Sequence, residues 1–304
     1  MIDQDVFGRA LRTLEDGETP PSEELGALSH LEGEPLTAFE GAWRTLSTIG
    51  RARLLARLHD SEREHLRWSF STIYALGFDD PDATIRRQAL RSTVEDTSPR
   101  LLEAIVRLAR DDSDVDVREA AASALGPFAL EAELGELSAD QADRILQTLL
   151  AILDRPDEAV GPRREALAAL GYLDRGGVAD RIRQGLDDPD LHLAAIRAIG
   201  RTAKAAWLDT LAREAARPDP TVRLEAARAC GELADLRAVA IAMDLLDDQV
   251  LDVRLAAIRS LGEIGGDEAR DALLYALEDK RAAIREAASE ALTTVELGDD
   301  PLAI

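Results

Sequence analysis

Cysteine, lysine and aromatic side chains are scarce in this 304-residue chain. The lone Cys230 rules out an internal disulfide framework. Only Lys204 and Lys280 are lysines, so arginine is nearly the sole cation, the one suited to planar, bidentate carboxylate pairing. That bias fits either a GC-rich coding sequence or an acidic, salt-adapted surface. With aromatics at 4%, any core must be aliphatic. No stretch approaches the ~18 uncharged apolar residues of a membrane span. The opening Met1-Ile2-Asp3-Gln4-Asp5 lacks the basic and apolar regions of a secretory signal, so a cytoplasmic protein is expected. Cations are outnumbered, 36 Lys+Arg against 59 Asp+Glu, for a net charge of −23. That disfavours generic nucleic-acid binding, which depends on Lys and Arg against phosphate. What is plentiful is apolar surface: 46% of residues, enough to offset the entropy of ordering a folded chain.

These residues recur with a period. Five segments share one frame: Asp80 to Leu90, Asp112 to Gly126, Pro220 to Gly231, Asp248 to Gly262, and Ala283 to Leu292. Arg223, Arg254 and Arg285 are spaced 31 residues apart, as are Gly200, Gly231 and Gly262. Degenerate copies run from Val160 to Gly171 and from Leu191 to Gly200. Each copy reads as a helix with its own punctuation. Asp80, Asp188 and Asp219 suit N-caps, and Pro81, Pro189 and Pro220 suit the first helical position. Gly126, Gly171, Gly200, Gly231 and Gly262 then read as helix ends. Between these Ala-rich helices lie others with bulkier faces, such as Leu102, Ile105 and Val106, or Leu273, Leu274 and Leu277. Helical pairs repeating every ~30 residues imply an α-solenoid.

The Asp-x-Asp-x-x-Val-Arg-x-x-Ala-Ala-x-x-Leu-Gly frame resembles the HEAT-repeat superfamily in its short form, related to phycobilisome-lyase-like repeats. The likeness implies an all-α fold, a right-handed α-α superhelix of about seven to eight helical pairs, with the second helix of each pair on the concave face. The expected organisation is an acidic segment over 1–34 with one short helix from Val6 to Leu14, and divergent capping repeats over 35–77. A repeat array over 78–295 and a tail over 296–304 follow. Ala129 to Ala139 reads as an inserted link after Gly126.

Two arginine columns stand out. The first is Arg86, Arg118, Arg164, Arg223, Arg254 and Arg285, beside Asp-rich turns. Asp82 and Asp114 precede their arginines by four residues, the spacing of an intrahelical pair, and neighbouring repeats offer further Asp partners. This is an Asp–Arg ladder that sets repeat register, each exposed pair contributing ~0–1 kcal/mol. The second column, five residues on and about 140° around the helix, holds Arg91, Ser123, Ala168, Arg197, Arg228, Arg259 and Glu290. Arg91, Arg197, Arg228 and Arg259 are the candidate partner-binding residues, suited to an acidic or phosphorylated segment. The alternative is a solvated face neutralised locally, for example by Glu225.

Catalytic constellations are not apparent. None of His30, His59, His65 and His192 is followed by Glu, so the His-Glu pairs of HEAT-like di-iron hydroxylases are missing and no metal or cofactor is expected. Cys230 takes the frame position of Leu125 and Leu261, as a small buried hydrophobe would. Trp207 reads as core packing or a surface aromatic rather than a base-stacking residue. The expectation is a non-enzymatic protein-binding scaffold, with its protein partner unidentified and a monomer slightly favoured. Two alternatives follow from the resemblance: a subunit similar to phycobilin lyases, or a protein similar to DNA alkylation repair glycosylases, whose basic channel the net charge opposes.

Overall fold

A computed structural model describes residues 3–65, 67–93 and 96–299. It is an all-helical α-solenoid with no strand among the described residues. Two compact units divide it, Met1–Ala166 and Leu167–Ile304.

The first unit opens with α1 (Gln4–Glu15), α2 (Ser22–Leu25), α3 (Gly33–Thr45) and α4 (Thr48–Glu64). It continues through α5 (Ser71–Phe78), α6 (Ala83–Ser92), α7 (Pro99–Asp111), α8 (Val115–Leu134) and α9 (Ala139–Asp154) to the start of α10 (Val160–Leu170). The second unit contains the end of α10, then α11 (Val178–Asp187), α12 (His192–Arg201), α13 (Leu208–Ala215) and α14 (Pro220–Leu233). It closes with α15 (Val239–Asp244), α16 (Leu251–Ile264), α17 (Asp267–Ala276) and α18 (Ala282–Asp299). Residues 300–304 of the expected tail lie outside the described residues.

Bulky and small residues divide the work. The odd-numbered helices bring Leu101, Leu102 and Ile105 of α7, Ile145 and Leu149 of α9, and Leu273 of α17 fully inside. The even-numbered ones bring Ala121 and Ala122, Ala226 and Ala227, and Ala256 and Ala257. In the second unit α14 lies between α12 and α16, and α18 packs on α16. The buried Ser260 hydroxyl donates to the Ala227 carbonyl at 2.6 Å and staples α16 to α14. Cys230 is fully buried in α14, and burial pushes its thiol up to about 12. Trp207 is buried as well, with Arg183 over its ring. At the other end of the chain, Phe39 and Trp43 of α3 and Phe70 and Tyr74 near α5 supply an aromatic cluster, where the repeats bury only isolated aromatics such as Phe128 and Trp207.

The glycine punctuation turns out differently. Gly126, Gly200, Gly231 and Gly262 lie inside helices, and none of them has a positive φ. At the last three the backbone of the next repeat comes close. A Cβ on Gly200 would meet the Ala229 Cα at 2.8 Å, and one on Gly231 the Ser260 Cα at 3.0 Å. True left-handed ends occur elsewhere, as at Gly135, φ 81°, which closes α8. α8 therefore runs through most of the expected link, leaving 135–138 before α9. Asp219 and Pro220 cap and open α14 as expected. The cap of α6, however, is Asp82 rather than Asp80, and Pro81 and Pro189 sit in the turns ahead of their helices.

Candidate functional site

The first arginine column is built from the turns upward. In each turn an acidic residue folds back on the amide two residues on: Asp80 on Asp82, Asp112 on Asp114, Asp248 on Val250, and Asp279 on Arg281. The same carboxylate receives the arginine of the preceding repeat. Arg51 reaches Asp80 at 2.5 Å, and Arg86 grips Asp112 through two bonds of 2.7 Å. Arg118 reaches Glu158 at 2.8 Å, Arg223 takes Asp248 at 2.6 and 3.0 Å, and Arg254 takes Asp279 at 2.5 Å. Four of these guanidiniums also hold a carbonyl of their own turn: Asp80 O for Arg86, Asp112 O for Arg118, Arg217 O for Arg223 and Leu246 O for Arg254. Arg285 keeps that second half at Asp279 O. A rung thus ties two consecutive turns together through one planar group.

Three features depart from the expectation. Asp82 and Asp114 do not pair along the helix with Arg86 and Arg118; their carboxylates are spent on the free amides of Thr84 and Val117. The arginine sits eight residues before the frame glycine at Arg118, Arg223 and Arg254, and by that count the member on α10 is Arg163. Arg164 is exposed, whereas Arg163 is half-buried. Finally, the rungs are not exposed pairs: the side chains of Asp80 and Glu158 are 0% exposed and that of Asp112 5%. Burial works against charge on Asp112 and Glu158, but the guanidiniums of Arg86 and Arg118 and the turn amides outweigh it and hold both carboxyls below the usual range. Asp248 and Asp279 are held low chiefly by Arg223 and Arg254.

His192 fills the arginine position on α12. Its Nδ1 lies 2.6 Å from Leu186 O and its Nε2 2.8 Å from the Glu214 carboxylate, copying the turn-and-acid grip with an imidazole. Asp partners from neighbouring repeats were expected and occur, but which acids they are, together with Arg51 and His192, was not identified from the sequence. The Asp-x-Asp doublet opening several frames was the available signal, its first Asp receiving the rung and its second capping the helix.

Apart from the buried Ala168, the second column lies on the outer face of its helices. Within the second unit, Arg197 is half-exposed and donates to Glu225 at 2.9 Å. Arg228 is more exposed and touches the same buried carboxylate at 3.6 Å, while Arg259 is exposed near Glu263. Glu290 ends the row. One turn further along lies a second row, Arg201, Glu232 and Glu263. Partial burial raises both of these carboxyls above the ordinary range. The Glu263 carboxylate rests against Gly231, in space that a Cβ would fill. The face is therefore two-signed, and Arg228 and Arg259 are its most accessible cations.

In the first unit, Arg91 and Ser123 of the same column line a recess of about 310 Å³ between α6, α8 and α10. Among the described residues no group of three or more His, Cys, Asp or Glu side chains is placed to hold a metal ion, and no helix is long and apolar enough to cross a membrane.

Comparison with known proteins bears on the repeats. The family model described as HEAT repeats matches residues 179–254, 208–293 and 251–304, and that described as HEAT-like repeat matches 115–173. No curated protein matches the sequence significantly. Among solved structures, human deoxyhypusine hydroxylase in complex with glycerol is 19% identical, with a TM-score of 0.38 over 96% of each chain. The Escherichia coli protein YibA is 16% identical, with a TM-score of 0.44 over 88% of this chain and 98% of its own. Yeast importin-beta is 14% identical, with a TM-score of 0.49 over 98% of this chain and 47% of its own.

Proposed function

We propose, from the premise that this chain belongs to the HEAT-repeat superfamily, that it is a non-enzymatic scaffold whose second unit binds an acidic or phosphorylated segment of a protein partner along Arg197, Arg228 and Arg259. The observation that carries this reading is the guanidinium row on α12, α14 and α16, exposed at Arg228 and Arg259 and repeated at the 31-residue step in a molecule of net charge −23. A stack of repeats buries its core between neighbours and leaves the outer helix faces free. Glu225, shared by Arg197 and Arg228, fixes where these two side chains point. Arg228 and Arg259 then present N–H donors to a carboxylate or phosphate.

The neighbouring Glu232 and Glu263 temper this attraction. Their raised carboxyls are the first on the face to take up protons as pH falls, so the face becomes more positive on mild acidification. Binding of an acidic segment is therefore expected to strengthen on mild acidification and to weaken with salt. Fluorescence anisotropy with labelled acidic and phosphorylated peptides tests this. Changing Arg197, Arg228 and Arg259 together to Ser is expected to reduce affinity by about tenfold or more. Equal binding by the variant would remove this face from the account.

A further inference from the structure

The rung arginines Arg51, Arg86 and Arg118 of the first unit each have their acid, whereas two opposite charges that share a recess there do not. Arg91 on α6 and Glu119 on α8 line the same recess of about 310 Å³. They make no ion pair with each other or with any other described residue, although Arg87 beside them is held by Asp116 at 2.5 Å. Arg91 is exposed and Glu119 half-buried. Between them the lining includes apolar Leu90, Ala120 and Ala124 and the hydroxyl of Ser123.

Two opposite charges at one recess, neither compensated by the protein, complement a guest that carries both signs. We propose that this recess binds a small zwitterion bearing an ammonium and a carboxylate, an α-amino acid or a short peptide with free termini. The guest's carboxylate pairs with the Arg91 guanidinium and its ammonium with the Glu119 carboxylate. Its apolar part lies on Leu90, Ala120 and Ala124.

The local architecture fits this assignment. Asp116 neutralises Arg87 and so leaves Arg91 as the available cation. Glu165, the third acid at the recess beside Asp116 and Glu119, already has an interaction of its own. Glu119 is set in place by Gly161: a Cβ there would lie 2.0 Å from its carboxylate oxygen. The volume lies at the small end of ligand pockets, which span roughly 300–1,000 Å³, and suits a guest of a few residues rather than a folded partner. Since the site lies within the first unit, it stands or falls apart from the arginine row of the second.

The test is calorimetric titration of the full chain with leucine, glycyl-leucine and diglycyl-leucine, each alongside its N-acetyl and C-amide derivatives. At least one free zwitterion is expected to bind, with each blocked form weaker by about tenfold or more, the scale of losing one charge-assisted contact. Arg91→Gln and Glu119→Gln are each expected to abolish that binding without shifting the melting temperature of the free protein, because neither residue holds an ion pair to lose. Backbone amide shifts at Ala120 and Ser123 should move with the zwitterion and stay still with the blocked forms. Absence of binding by all three zwitterions at millimolar concentration would overturn the proposal. So would equal binding of the blocked forms, or binding that survives both substitutions.

Discussion

Replacing Arg86 by alanine strands the Asp112 carboxylate, whose side chain is 5% exposed. Breaking a buried pair from one side costs about 3 kcal/mol or more, because the remaining charge is shielded from water and keeps only the Asp114 amide. Adding Asp112→Asn to Arg86→Ala should then cost far less than Asp112→Asn alone. Urea unfolding of the four proteins is expected to give a coupling of at least ~1 kcal/mol, and simple additivity would show the rung to be ornamental. Glycine obeys the same local logic. Gly231→Ala drives a methyl to within 3.0 Å of the Ser260 Cα, which is backbone and cannot swing aside, so a loss of about 1–3 kcal/mol is expected. Gly41→Ala on the exposed side of α3 meets nothing within 4 Å and is expected to gain about 0.5–1 kcal/mol from helix propensity. Thermal melts of the two variants should move in opposite directions.

At the scale of elements, the pairing of bulky with Ala-rich helices was legible because apolar periodicity is a local property. Helix ends were less so. A glycine every 31 residues reads locally as a stop, but Gly200, Gly231 and Gly262 answer to the backbone of the next repeat, and that demand is tertiary. The ladder was half legible for the same reason. The guanidinium column recurs within the frame, whereas its acids lie 25 or 26 residues further on, at Asp112, Asp248 and Asp279, and so belong to the next repeat's turn. Asp82 and Asp114 had the spacing of helical ion-pair partners, yet free amides at the first turn claimed them. The outward column could be read from its angle on the helix. What could not be read was that Arg197 and Arg228 share Glu225, since that contact crosses from α12 to α14.

For the whole molecule, the net charge of −23 first counted against nucleic acid, and the structure shows where part of that charge resides. Asp112, Glu158, Asp248 and Asp279 are all held below the ordinary carboxylate range in the folded chain. A depressed folded value means stability that is complete above the unfolded value of about 4 and is lost as pH falls through the folded one. Glu62, Glu232 and Glu263 are raised, first of all by burial, so their contribution runs the other way and disfavours folding as pH rises through the carboxylate range. The urea midpoint is therefore expected to drop below about pH 4. Glu232→Gln combined with Glu263→Gln should raise it at neutral pH and leave it unchanged in acid. A midpoint indifferent to acid would contradict the role of the rungs.

The scaffold reading meets its most direct test in cross-linking mass spectrometry on complexes captured from the native host, with the wild-type chain and the Arg197→Ser, Arg228→Ser, Arg259→Ser variant as baits. The account predicts cross-links from an acidic or phosphorylated partner segment to α12, α14 and α16, and loss of that partner with the variant. Retention of the same partner by the variant, or cross-links confined to other helices, would contradict it.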